Sequence, residues 1–225
     1  KLAKKYFDNV SVDVLIGLRK IQKGDFINDL SRLINEGVKH ISAYMLQVEE
    51  GTPLQKLVNC KPALLPDDDE CVEIYEEASK FLSSKGYERY EVSNFAIKDF
   101  ESRHNFKYWT GEEYVGFGLS SHSLLKNERI ANASDFNSYY NEKGKMREVL
   151  GKKELIEEHI MLGLRCKNGI SKDYLKKIGY DITKCQSLND FIKRDVVTEK
   201  GDRIYLNPSY YGINNFIIAS LLPEI

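Results

Sequence analysis

VSVDVLIGL, residues 10–18, and HISAYMLQV, residues 40–48, decide how this chain folds. Both are β-branched, nearly continuous apolar runs, the pattern of strands buried on both faces of a parallel sheet. Between them Phe26, Leu30, Leu33 and Ile34 recur at helical spacing, and Gly37 is placed to end the helix. Strand, helix and strand with joints this short form a βαβ unit, whose two strands must run parallel. Among the polar residues inside these runs, Asp13, Ser42 and Gln47 stand out. A carboxylate in such a strand is costly unless something pairs with it, which singles out Asp13.

Outward from this unit, residues 49–65 read as an irregular stretch broken by Gly51, Pro53 and Pro62, with Pro66 just beyond. A long helix then opens sharply at Asp67, an N-cap followed by Asp68, Asp69 and Glu70, acids that suit the positive end of the helix dipole. Ile74, Tyr75, Ala78, Phe81 and Leu82 give it an apolar face, and Gly86 ends it. Residues 87–95 (YERYEVSNF) and 114–125 (YVGFGLSSHSLL) read as two further strands, joined by a polar and aromatic loop, SRHNFKYWTGEE, at 102–113. Composition shifts near Gly151. Beyond it come a helix over 154–164, two short helices, a hairpin around Gly201 and a last helix capped by Asn207 with Pro208 at its first position. The expected fold class is α/β, with domains at 1–148 and 149–225, the second a small winged-helix-like α+β module.

The chain has 225 residues, 33 Lys and Arg against 34 Asp and Glu, and a net charge of -1. That balance removes whole-molecule electrostatics as a reason to bind nucleic acid or membrane. Residues 152–225 carry 12 Lys and Arg against 10 Asp and Glu, without the basic excess of a DNA-reading winged helix, so this module reads as structural or protein-binding. The longest apolar stretch, 216–222, is far short of the roughly 20 residues a membrane span needs. Cys60, Cys71, Cys166 and Cys185 are scattered, which fits reduced thiols in a cytoplasmic protein. Position 1 is Lys rather than Met, and the chain is expected to be a piece of something longer.

SVDVLIGL (11–18), HISAYMLQVEEGTP (40–53), LPDDDE (65–70), YERYEVSNFA (87–96), RHNFKYW (103–109), GFGLSSHS (116–123) and GLR (163–165) together resemble the oxygen-independent coproporphyrinogen III oxidase-like family of radical S-adenosylmethionine proteins. Within it the HemW group of haem chaperones is the nearest in pattern. The HNxxYW motif, here His104, Asn105, Phe106, Lys107, Tyr108 and Trp109, separates that group from the decarboxylating oxidases. The resemblance implies the C-terminal part of a partial (β/α) barrel. It also implies a [4Fe-4S] cluster and S-adenosylmethionine in the full-length protein, and delivery of haem to membrane haemoproteins. Such a cluster needs three close thiolates on one loop. The cysteines here are 11 apart at best, so the cluster ligands are expected outside this chain, which alone should be inactive. The family's Pro-Gly-Gln turn after the first strand is replaced by Arg19, Lys20, Ile21 and Gln22. The exposed edge of a truncated barrel should be covered by upstream residues or by self-association. An oxidase that decarboxylates coproporphyrinogen III and a non-catalytic winged-helix binding module are the alternatives.

The resemblance places Asp13, Gln47 and His122 on the S-adenosylmethionine side. The competing readings are a buried Asp capping a loop, a Gln satisfied in the core and a strand histidine hydrogen-bonded there. Gly116 and Gly118 before His122 would let backbone approach a ligand closely. His104 is the candidate haem iron ligand, with Tyr108 and Trp109 as aromatic faces for a porphyrin and Arg103 and Lys107 for its propionates. The competing reading is that His104, Asn105 and Trp109 lock the loop against the barrel. The acids at 67–70 are explained by capping, and His40 and His159 have no partners at metal-ligand spacing.

Overall fold

The computed structural model describes residues 1–18 and 23–223, so Arg19 to Gln22, where the sequence departs from Pro-Gly-Gln, lie outside the described residues. The chain packs as two compact units, Lys1–Ser102 and Arg103–Ile225.

The first unit runs β1 (Ser11–Ile16), α1 (Lys23–Asn35), β2 (His40–Met45), α2 (Pro53–Cys60), α3 (Asp68–Ser84), β3 (Glu88–Arg89) and β4 (Asn94–Ala96). Its sheet has the order β1-β2-β4-β3. β1 and β2 are parallel, as the βαβ pattern requires, in a register that sets Ser11 beside His40 and Asp13 beside Ser42. β4 is antiparallel to both β2 and β3. Helix α1 ends as expected: Gly37 takes φ +75°, Gly37 N–H donates to Ile34 O, and Val38 N–H donates to Leu33 O. Asp67 caps α3 by accepting the Glu70 N–H at 2.8 Å.

One face of this sheet builds the core. Ile16, Ile41 and Ala43 pack with Phe26 and Leu30 of α1 and with Ile74, Ala78 and Leu82 of α3. The opposite face of β1 carries Ser11, Asp13 and Leu15, all exposed. This corrects the expectation of burial on both faces for β1, whereas His40 to Ala43 of β2 are buried on both. The helices that build the core cover the other face of β1, and β1 is an edge strand of the sheet among the described residues, β3 being the other. The stretch read as irregular holds α2, with Thr52 as its N-cap and Pro53 at its first position. Residues 87–95 are not one strand either, because a turn at 90–93 separates β3 from β4.

The second unit runs α4 (Arg103–Thr110), β5 (His122–Leu125), β6 (Glu128–Ala131), α5 (Phe136–Tyr140), β7 (Met146–Val149), α6 (Lys152–Gly163), β8 (Ile170–Ser171), α7 (Lys172–Lys177), α8 (Gln186–Lys193), β9 (Val197–Lys200), β10 (Arg203–Leu206) and α9 (Asn214–Leu221). β5, β6 and β7 form an antiparallel meander, and β8, β10 and β9 a second small sheet. The expected strand over 114–125 shrinks to β5 plus an isolated pairing of Tyr114 with Leu124. The expected loop at 102–113 is largely helix α4. Asn207 and Pro208 open a 3-10 turn over Pro208–Ile213, and α9 begins only after it. Ile156, Ile160 and Leu164 of α6 share a core with Leu175, Leu188, Ile204, Ile217 and Leu221. Residues 149–225 thus carry an apolar core of their own.

Candidate functional site

Helix α4 turns HNxxYW into rows, because residues four apart lie on one helix face. Arg103 and Lys107 form a basic row, His104 and Tyr108 the next, and Asn105 and Trp109 a third. His104 and Tyr108 are both exposed. The His104 Nε2 and the Tyr108 hydroxyl are hydrogen-bonded at 2.9 Å, and their rings meet edge to face at 5.2 Å. Tyr108 in turn meets the half-buried Tyr114 edge to face at 4.7 Å. The arrangement offers a solvent-facing imidazole, an aromatic surface beside it and two cations on the neighbouring row.

Trp109 belongs to a different setting. It is half-buried and lines a cavity with residues of α6, among them Leu155 and Leu162. The four residues expected at a porphyrin therefore divide, with His104 and Tyr108 on one row and Asn105 and Trp109 on another. A loop reading could not have foreseen this division, but the i, i+4 spacing of the motif encodes it.

The residues expected on the nucleotide side fall in both units. Asp13 is exposed in β1, and Gln47 is exposed two residues past the end of β2. Gln47 thus follows the carboxyl end of a parallel strand, the end at which such sheets bind ligands. His122 is exposed at the start of β5 in the second unit. The tight approach at Gly116 is to protein rather than to open space. A Cβ there would stand 2.2 Å from the His122 carbonyl oxygen, whereas at Gly118 it would meet nothing within 4 Å.

Two polar clusters in the first unit had no clear sequence signal. His40 is buried, with Nδ1 bonded to Ser11 Oγ at 2.6 Å and Nε2 to the Tyr90 hydroxyl at 2.7 Å. Ser102 N–H also donates to that hydroxyl, at 3.2 Å, so the chain of bonds runs from β1 to the residue just before α4. Burial lowers the His40 pKa against the opposing pull of Asp13 and Glu101, and burial pushes Tyr90 up to about 12. The second cluster is the turn between β3 and β4. Glu91 is only 1% exposed, and burial raises its carboxyl pKa despite hydrogen bonds from Ser93 and Asn94. Its Oε1 and the Asn94 Oδ1 are buried without a hydrogen-bond partner.

No group of three His, Cys, Asp or Glu among the described residues is placed to hold a metal ion. The four cysteines are free, Cys60 at the end of α2, Cys71 in α3, and Cys166 and Cys185 in the second unit. They do not fit an iron-sulfur cluster, which needs three thiolates on one centre. No helix among the described residues is long and apolar enough to cross a membrane.

No protein-family model matches the chain. It is 28% identical to the heme chaperone HemW of Lactococcus lactis over 99% of this chain and 60% of that protein. It is 29% identical to the heme chaperone HemW of Bacillus subtilis over 97% of this chain and 60% of that one. The chain thus spans about 60% of the length of these curated relatives. Among solved structures, the radical SAM enzyme coproporphyrinogen III oxidase (HemN) of Escherichia coli superposes with a TM-score of 0.74 at 16% identity. That match covers 99% of this chain and 57% of the oxidase. The mixed α/β fold is therefore that of HemN, and the sequence is similar to those of proteins named heme chaperone HemW. The chain is thus similar, over nearly its whole length, to HemW proteins, and it shares the fold of a radical SAM enzyme.

Proposed function

We propose that this chain is the haem-presenting portion of a cytoplasmic haem chaperone, with His104 as the iron ligand. The observation that carries this reading is the exposed His104–Tyr108 row of α4. Imidazole is a common haem ligand, and this one faces solvent beside a phenol ring and a basic row able to meet propionates. Neutral imidazole binds metal through an unprotonated ring nitrogen, so ligation through Nε2 requires Tyr108 to release it. Asn105 and Trp109 would then support α4 from its other row rather than stack on the porphyrin.

In the full-length protein Asp13, Gln47 and His122 would serve S-adenosylmethionine, and a [4Fe-4S] cluster would take ligands from outside this chain. The order α6, β8, α7, α8, β9, β10 supports reading residues 149–225 as a winged-helix-like domain following a partial-barrel domain at 1–148. Its near-neutral charge favours a protein contact over nucleic acid, which suits delivery to a membrane haemoprotein. The outer edge of β1 is where an upstream strand, or self-association, would complete the sheet.

The experiment uses full-length protein with its cluster reconstituted anaerobically. It should bind haem, pass it to an apo-haemoprotein and leave coproporphyrinogen III unchanged. Decarboxylation with turnover would replace the chaperone reading by the oxidase reading.

A further inference from the structure

The cavity that Trp109 lines is about 360 Å³ and lies within the second unit, between α4, α6 and the β8–β10 side. Trp109, Leu155 and Leu162 give it apolar walls, and His159 and Arg203 lie on its polar side. His159 Nε2 accepts the Ser171 N–H at 2.9 Å, which leaves the ring proton of a neutral imidazole on Nδ1. Burial, with Arg203 nearby, holds the His159 pKa down to about 4, so the ring is neutral at physiological pH. Its Nδ1–H donates to no described residue, and the Arg203 guanidinium makes no ion pair with one. Glu158 is on the same wall, but its carboxylate is engaged by Arg129 at 2.5 Å. The cavity therefore joins an indole and aliphatic side chains to one N–H donor with no hydrogen-bond partner and one cation in no ion pair among the described residues. The Asp202 carboxylate is near enough to act on both but is itself bonded to Ser171 Oγ and the Asp173 N–H.

We propose that this cavity binds a planar aromatic molecule carrying a carboxylate, its ring system beside Trp109 and its carboxylate on His159 Nδ1–H and Arg203. A carboxylate accepts both donors, and the charge-assisted bond to guanidinium orients it. The apolar walls then bury the ring. The site does not depend on iron ligation by His104, which stands on a different row of α4.

Trp109 is the single tryptophan of the chain, so its emission reports on this cavity alone. The probes are 1-pyrenebutyrate and its uncharged analogue 1-pyrenebutanol, titrated while Trp109 emission is followed. The carboxylate should quench saturably, and the alcohol should bind about tenfold more weakly, the loss expected when one charge-assisted bond is absent. Arg203→Gln, at an exposed position that leaves the core intact, should weaken the carboxylate by a similar factor and leave the alcohol unchanged. Lys193→Gln, an exposed cation elsewhere in this unit, should change neither. Unsaturable quenching, equal affinity for the two probes, or indifference to Arg203→Gln would overturn the proposal.

Discussion

His104 and Tyr108 stand one turn apart on α4, the imidazole Nε2 and the phenol oxygen 2.9 Å from each other. The bond holds the ring nitrogen that haem iron would take. Whichever of the two groups supplies the proton, ligation at Nε2 breaks this contact.

Tyr108→Phe keeps the ring and removes the competing hydroxyl. An exposed hydrogen bond of this kind contributes about 0.5–1 kcal/mol, so haem affinity should rise roughly two- to fivefold. A Soret titration of wild type and variant measures it. A fall in affinity would make the hydroxyl a partner of haem rather than its competitor.

The pH profile of stability should carry the mark of His159. Its folded pKa, about 4, lies below the ordinary histidine value of 6.5. Between these values the unfolded chain binds the proton and the folded one does not. The contribution is therefore complete above pH 6.5 and is lost as pH falls toward 4. Discounted for partial exposure, the loss is on the order of 1–2 kcal/mol. His40, also lowered by burial, acts in the same direction. Urea midpoints at pH 7.5 and pH 5 should converge in part for His159→Gln. An unaltered pH dependence in that variant would contradict the assignment.

Glu91 predicts the opposite sign. Its pKa is raised by burial, so its protonated form suits the fold, and stability falls as pH rises through the folded pKa. Glu91→Gln mimics the neutral acid. It should be more stable than wild type at pH 8, on the order of 1 kcal/mol, with the difference shrinking at pH 4.5. Thermal melts at the two pH values test this.

Gly116→Ala should destabilise the second unit by more than about 2 kcal/mol, since the new methyl would meet the His122 carbonyl oxygen at 2.2 Å and backbone must move. Asp67→Ala, at an exposed cap, should cost only about 1 kcal/mol. Melting temperatures of the two variants should differ in that order.

The parts of the fold that were legible in the sequence are those with local signals. The βαβ unit followed from two apolar runs around a periodic segment, and its parallel register is present. Gly37 and Asp67 end and begin helices by backbone geometry that one residue type favours. The misreadings have physical reasons. Thr52 followed by Pro53 is a helix start as clear as Asp67, yet the surrounding prolines suggested a break. In α4 the histidine, asparagine and aromatic residues at 104–109 have weak helix propensity, so the i, i+4 pairing of His104 with Tyr108 and Asn105 with Trp109 was the usable signal. The exposure of Asp13 depends on which sheet face the helices cover, which strand composition alone does not encode. The same holds for the Ser11–His40–Tyr90 bonds, made between residues up to 50 positions apart.

The central claim, that His104 carries haem, is tested most directly by titrating haem into wild-type protein and His104→Ala while following the Soret band. Wild type should give a saturable, shifted band, and the variant should lose the shift and bind at least about tenfold more weakly, as expected for loss of an iron ligand. Identical spectra and affinity in the two proteins would contradict it.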